Sequence, residues 1–347
     1  EIVHNTEMLK YYMNNAVEAS PEHPILIDKF LNNATEIDVD AICDGTDLVI
    51  GGVMQHIEKA GIHSGDSACS LPPFSLSKNH IHKIKAQTEV LAKELNVIGL
   101  INIQFAIKDE EIFILEVNPR ASRTVPFVSK AIGKPLAKLA SKVMVGKSLR
   151  DLGFTQEVVP NYTSIKESVF PFIKFSNIDV LLGPEMKSTG EVMGIDTSFG
   201  RAFAKAQIAT GLNLPEEGTA FISVKDEDKP ATLPIAKELI EMNFALVATK
   251  GTADYLSKAG LKVAKINKFK EGPPHIVDAI EKGLADLVIN TVFGPQAIKD
   301  SFTLRRASLI HNLPYYTTIA GAEAMLEALK ETRNKPLTVT SLQELSN

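Results

Sequence analysis

Gln104, Glu116 and Asn118, followed by Arg120 and Arg123, are the residues of this sequence best suited to chemistry. Glu116 and Asn118 are two apart, so within a strand they share a face. Runs 99–107 and 111–117 read as strands around Lys108-Asp109-Glu110-Glu111, a charged turn suited to a hairpin. If Lys108 opposes Ile112 around a three-residue loop, Gln104 falls opposite Glu116. A slip of one residue would put them on opposite faces. One carboxylate and two amides make a hard oxygen set suited to Mg²⁺ or Mn²⁺ bridging nucleotide phosphates, with magnesium the stronger candidate. A Glu set among Ile112, Ile114, Leu115 and Val117 is expected to be buried, and so to need a cation. Arg120 and Arg123 supply the bidentate donors that a phosphoryl group requires. The simpler alternative for Glu116, an edge-strand carboxylate paired with a surface arginine, is weakened by Gln104.

A second polar run, Gly61-Ile62-His63-Ser64-Gly65-Asp66-Ser67, has glycines that let backbone amides approach a ligand closely. A plain turn explains the glycines equally well, and His63 by itself reads as a structural hydrogen-bonding residue.

These residues need elements to hold them. Strand-like runs at 25–27, 36–43 and 48–54 precede a helix-period segment at 77–95 and the hairpin just described, and a further helix is expected over 126–146. That pattern implies mixed α+β architecture with antiparallel hairpins. A less regular, proline- and glycine-bearing region runs to about Leu212. Strands then alternate with helices: strands at 219–224, 245–248, 261–266, 286–290 and 315–318, helices at 230–242, 252–259, 276–282, 298–311 and 322–330. Five βα units imply a mostly parallel sheet covered on both faces. Two units follow, 1–211 and 212–347.

Composition sets the bounds. A chain of 347 residues with 44% hydrophobic content can bury more than one core, and a formal charge of −5 gives no general field for nucleic acid or an anionic membrane. Cys43 and Cys69 lack metal or disulfide spacing and read as free thiols of a cytoplasmic protein. No apolar run approaches the ~20 residues of a membrane span. Glu1 stands where an initiator Met is expected, which suggests a piece of a longer protein.

Longer strings carry a specific resemblance: Glu36-Ile37-Asp38-Val39-Asp40-Ala41, His56-Ile57-Glu58-Lys59-Ala60-Gly61 running on to Ala68, Glu116-Val117-Asn118-Pro119-Arg120-Ala121-Ser122-Arg123 running on to Lys130, and Ser188-Thr189-Gly190-Glu191-Val192-Met193-Gly194. Together they resemble the C-terminal half of the large subunit of the carbamoyl phosphate synthetases. The resemblance implies a partial ATP-grasp fold over 1–211, the unit that phosphorylates carbamate with ATP, followed by a doubly wound, mostly parallel α/β regulatory domain like methylglyoxal synthase. It implies Gln104, Glu116 and Asn118 as metal ligands, and Lys29, Leu31, Glu36, Gly61, Ile62, His63, Ser64, Gln104 and Glu116 at the ATP. Arg120 and Arg123 take the phosphate-contacting catalytic places. Lys29 departs from a histidine found in relatives.

In the second unit Thr249-Lys250-Gly251-Thr252 would open a helix onto a phosphate. Lys229, Thr249, Thr252, Lys268 and Asn290 match effector-contacting positions for uridine or inosine monophosphate, while Val292 departs from a threonine. Glu58, Asp66 and Glu167 match an ornithine site between the units. Implied partners are a glutaminase small subunit and the remainder of the large subunit, with any oligomer left open; the implied pathways are pyrimidine and arginine biosynthesis. The same reading expects little synthetase activity from this chain alone, since a phosphate-covering loop and a bicarbonate-phosphorylating half would lie elsewhere. An inert remnant serving nucleotide regulation, or another ATP-grasp ligase, are the alternatives.

Overall fold

The computed structural model describes residues 2–345 other than 4, 20, 21, 23, 176, 177 and 334, without the side chains of 17–19 and 295. After α1 (Thr6–Ala19) come β1 (Thr35–Asp44), β2 (Leu48–Lys59), β3 (Cys69–Leu71), α2 (Lys78–Glu94), β4 (Ile98–Lys108) and β5 (Glu111–Asn118). Then follow α3 (Val125–Ala131), α4 (Leu136–Met144), β6 (Thr163–Val169), β7 (Gly190–Asp196) and α5 (Phe199–Ala209). These strands form one antiparallel seven-stranded sheet, ordered β5-β4-β1-β2-β3-β6-β7.

β1 shows why the sheet has two different faces. Ile37, Val39 and Ala41 alternate with Glu36, Asp38 and Asp40, so the apolar set packs with Ile101, Ile103 and Phe105 of β4 and Ile84 and Ala92 of α2. Each fully buried Ile, Val or Phe of this set is worth roughly 1.5–3 kcal/mol. Ser77 starts α2 by accepting the His80 amide at 3.1 Å. α3 and α4 cover one end of the opposite face through Val128, Ala131, Leu136 and Ala140. The rest of that face carries the acids.

The β4–β5 hairpin closes differently from the three-residue expectation. Asp109 and Glu110 both have positive φ, 49° and 67°, making a two-residue turn with Lys108 opposite Glu111. That register runs to Phe105 opposite Ile114, and an irregularity between Gln104 and Phe105 then absorbs one residue, leaving Gln104 opposite Glu116 and Asn102 opposite Asn118. The anticipated pairing holds because a bulge at Leu115 compensates for the shorter turn.

Other expectations need correction. Residues 25–27 form no strand; Leu26 and Ile27 are exposed and have no strand partner. The helix expected over 126–146 is two helices, broken where Gly133 turns at φ 64° ahead of Pro135. The irregular region between 146 and 212 contains β6, β7 and α5, whose runs give too little periodicity to be read alone.

The second half builds β8 (Gly218–Ser223), α6 (Lys229–Glu241), β9 (Phe244–Thr249), α7 (Lys250–Lys258), β10 (Val263–Ile266), α8 (Ile276–Glu281), β11 (Leu287–Asn290), α9 (Pro295–Ile310), β12 (Tyr315–Tyr316) and α10 (Ile319–Arg333). Its five strands are parallel and ordered β10-β9-β8-β11-β12, the doubly wound arrangement expected. Ile235, Leu256 and Met325 bury one face, and Ile276, Ile280 and Leu304 the other.

The two sheets share a core. Ile57, Ile165, Ala202 and Phe203 belong to the same buried cluster as Leu239, Ile289 and Leu329. α5 makes this possible by fitting tightly on both sides. A Cβ at Gly194 would lie 2.0 Å from Ala202 O, and one at Gly200 would lie 2.5 Å from Glu327 O. Polar ties reinforce the junction: Arg305 of α9, almost fully buried, forks onto the Asp179 carboxylate, with Nε to Oδ1 at 2.8 Å. Arg306 donates to the carbonyls of Phe172 and Phe175 at 2.9 and 3.0 Å.

Candidate functional site

Register assembles the polar face. Asp38 of β1 lies opposite Gln104 of β4, itself opposite Glu116 of β5; one step along, Asp40, Asn102 and Asn118 form a second row. Asp38, Asn102, Gln104, Glu116 and Asn118 line a cavity of about 610 Å³ together with Arg120 and Arg123. A neighbouring cleft of about 840 Å³ is lined by Lys29, Leu31, Glu36, Gly61, Ile62, His63, Ser64, Gln104 and Glu116, with α1 side chains such as Tyr12 opposite. The two spaces share His63, Ser64, Gln104 and Glu116.

Glu116 is exposed, not buried, because its neighbours Ile114 and Leu115 on the edge strand are themselves 48% and 46% exposed. In solvent, the Glu116 carboxylate needs no cation to offset burial. What remains is donor chemistry. Gln104 Nε2 donates to Ser64 Oγ at 3.0 Å, which orients the amide and leaves its oxygen free to accept. Asn118 Oδ1 accepts from Arg120 Nη2 at 3.1 Å, so a metal at Asn118 would have to displace that arginine. Among the described residues no group of three or more His, Cys, Asp or Glu side chains gathers to hold a metal. Gln104 and Glu116 fit a magnesium ion that takes most of its oxygens from phosphate and water.

Several residues at this site were not singled out as site residues from the sequence. Asp40 is fully buried, and burial raises its pKa to about 6 despite hydrogen bonds from Thr124, Ser122 and Asn102. His56, also buried, has Nε2 3.1 Å from Asp38 Oδ2 and Nδ1 3.5 Å from Glu36 Oε2, the latter an ion-pair contact rather than a hydrogen bond. Lys166, 1% exposed, reaches only the carbonyls of Ser64 and Gly65 and the Ser168 hydroxyl, each at 3.4 Å, and lines the smaller cavity with Glu191. Burial raises the Glu191 pKa while Lys166, Lys130 and Arg123 pull against it. The alternating acids at 36, 38 and 40 were a usable signal for the first group; nothing local marks Lys166.

In the second half a cavity of about 650 Å³ is lined by Ser223, Lys225, Thr249, Lys268, Asn290 and Val292. Thr249, Lys268 and Asn290 thus face it, and Lys229 and Thr252 do not line it. Thr252 Oγ1 accepts the Val224 amide at 3.2 Å, and Lys229 pairs with Asp226 at 2.6 Å. Asn290 Nδ2 donates to Ser223 O at 3.0 Å, while its buried Oδ1 has no protein partner.

Glu58 and Glu167 line a space of about 210 Å³ between the halves, with Tyr315, Tyr316 and Thr318. Asp66 does not, because its two oxygens accept the Lys187 and Ser188 amides at 2.8 and 2.9 Å. Burial chiefly, and then the Glu58 charge, raises the Glu167 pKa to about 8. Cys43 and Cys69 are both free and buried. No helix among the described residues is long and apolar enough to cross a membrane.

Comparison with known proteins places the two halves. Residues 1–152 match the family described as carbamoyl-phosphate synthase L chain, ATP binding domain, and residues 231–317 match the MGS-like domain. Over 345 residues, 99% of this chain, the sequence is 56% identical to the carbamoyl phosphate synthase large chain of Pseudomonas putida and 53% identical to that of Myxococcus xanthus. The chain spans 32% of the length of each of these relatives. Among solved structures, the biotin carboxylase domain of a single-chain bacterial carboxylase overlays with a TM-score of 0.43 at 13% identity, covering 59% of this chain and 58% of that one, a likeness too low to bear on function. With a match to the ATP-binding domain followed by a match to the MGS-like domain, this chain is similar over nearly its whole length to a C-terminal part of carbamoyl phosphate synthase large chains.

Proposed function

We propose that residues 1–211 form the wall of an ATP site at which carbamate is phosphorylated, and that residues 212–347 form a nucleotide-responsive regulatory unit. The observation that carries the first part is the row Asp38–Gln104–Glu116, flanked by Asn102 and Asn118, which lines the smaller cavity, with Gln104 and Glu116 also lining the larger one. The larger cleft takes adenine and ribose against Lys29, Leu31 and Glu36, and the phosphates extend past Ser64 toward Arg120 and Arg123. Gln104 and Glu116 would hold a magnesium ion, which would neutralise phosphate charge. The arginines oppose the charge that develops on the transferred group, so positioning and electrostatics supply the catalysis and no covalent protein nucleophile is required.

Carbamate would come from a partner segment of the large chain using ammonia from a glutaminase subunit. The product would serve pyrimidine and arginine biosynthesis. This chain alone is expected to form little carbamoyl phosphate.

Titration of the chain with ADP in the presence and absence of Mg²⁺ tests the site. The Glu116→Ala chain should lose most of the magnesium-dependent gain, a change of about tenfold or more for a lost charge-assisted contact. An undiminished gain would remove Glu116 from the metal site.

In the regulatory unit, Thr249, Lys268 and Asn290 face a cavity large enough for a nucleoside monophosphate, with the unpartnered Asn290 Oδ1 available to a base or ribose donor. Calorimetry with uridine and inosine monophosphates identifies the effector, and Lys268→Ala should weaken whichever binds. Binding of neither would overturn the regulatory assignment.

A further inference from the structure

The segment joining β5 to α3 carries Arg120 and Arg123 yet has little backbone support. Among the described residues, the one backbone–backbone hydrogen bond with both ends between 118 and 124 runs from Arg120 N to Asn118 O at 2.8 Å. The hydroxyls of this segment converge instead on one carboxylate of β1. Ser122 Oγ donates to Asp40 Oδ1 at 2.7 Å and Thr124 Oγ1 donates to Asp40 Oδ2 at 2.6 Å, the two hydroxyls lying 2.8 Å apart. Asn102 Nδ2 donates to the same Oδ1 at 3.0 Å, tying the arrangement to the row that ends in Asn118.

Asp40 itself is 0% exposed and lines neither cavity, so it does not touch a bound ligand. A buried carboxylate is costly wherever it stands unless its partners are fixed, and removing one partner leaves the others unsatisfied. Two of those partners are side chains of the segment that bears the arginines. Its path therefore follows the carboxylate rather than any ladder of main-chain bonds.

We propose that Asp40 is a positioning residue for the phosphate site: by holding Ser122 and Thr124 it sets the points from which Arg120 and Arg123 reach the phosphates of a bound nucleotide. The inference rests on the reading of this face as a MgATP site. Small displacements matter here, because a misplacement of about 1 Å can cost on the order of a hundredfold in a preorganised site.

The test compares MgADP with adenosine, which shares the base and sugar but offers no phosphate. Both are titrated calorimetrically into the whole chain as wild type, Asp40→Asn, the Ser122→Ala/Thr124→Val double variant, and Thr124→Ser. In Asp40→Asn and in the double variant the preference for MgADP over adenosine should fall about tenfold, the equivalent of one charge-assisted hydrogen bond, with adenosine affinity unchanged. Thr124→Ser, which keeps the hydroxyl, should keep the wild-type preference. The double variant carries the test if Asp40→Asn does not fold. Equal weakening of both ligands, or an intact MgADP preference in the folded variants, overturns the proposal. A wild-type chain with no preference for MgADP overturns the underlying MgATP reading instead.

Discussion

His56 lies between two carboxylates of the neighbouring strand, Asp38 and Glu36, and the balance of forces on its ring has a measurable consequence. Burial favours the neutral imidazole, but the two acids outweigh it and raise the pKa from 6.5 to about 9. A proton held more tightly in the folded than in the unfolded chain stabilises fully below pH 6.5, and that stabilisation is lost as pH rises through about 9. The shift corresponds to on the order of 3 kcal/mol. Melting temperature should therefore fall across that window, and His56→Gln, less stable at pH 6.5, should show a much shallower fall. An identical slope in the variant would refute the double pairing. Glu167, with a pKa raised from 4.5 to about 8, lowers stability with rising pH through its own range, so the comparison must be with the variant and not with a flat line. At this scale the donor types at Gln104, Glu116 and Asn118 were readable from spacing. Their surroundings were not: Glu116 was expected to be buried because its neighbours are apolar, yet edge-strand apolar residues can stay in solvent.

The β4–β5 hairpin shows how an element can reach an expected register by an unexpected route. Lys108-Asp109-Glu110-Glu111 fixes the presence of a turn, but Asp and Glu adopting positive φ is a tertiary outcome, and the bulge at Leu115 has no signature in the sequence. Beyond the bulge Val117 packs toward the α2 side with Ile103 and Phe105, and Glu116 faces the cavities. α5 is the element that ties the sheets, and its fit depends on two missing side chains. Gly194→Ala would force a methyl group against the Ala202 carbonyl, a backbone atom that cannot swing aside. The substitution should cost roughly 3 kcal/mol of stability as overpacking. Thermal unfolding of the variant measures it, and a melting temperature within error of wild type would mean that α5 can shift outward freely. This close approach was unreadable beforehand because β7 and α5 lie in the stretch where hydrophobic period is weakest.

For the molecule as a whole, Arg305 is the residue on which the joining of the two halves can be tested. Its guanidinium is nearly inaccessible and forks onto Asp179, while Ser301 on the same helix accepts from its Nη1 at 2.7 Å and also lines the cavity of the second half. Arg305→Ala takes the guanidinium from Asp179, which keeps only the Leu181 amide at 3.1 Å, so unfolding free energy should drop by about 3 kcal/mol. Calorimetry should then resolve two transitions in place of one, because polar ties across the junction are lost while each sheet keeps its own strand pairing. A single, unshifted transition would show that the shared core around Phe203 and Leu329 suffices.

Sequence periodicity alone determined that the second half alternates strand and helix, since helices and parallel strands buried on both faces write their periods into consecutive residues. Residue type by itself likewise set which donors and acceptors stand near residue 116, two amides, a carboxylate and two guanidinium groups. Tertiary structure alone decided that Asp38 and Asp40 extend those donors into two cross-strand rows, that Lys166 comes to the same cavity from a strand 50 residues after Glu116, and that the two sheets share one core. These are contacts between positions far apart in the chain, and no local pattern encodes which distant partner a side chain meets once the sheet order is set.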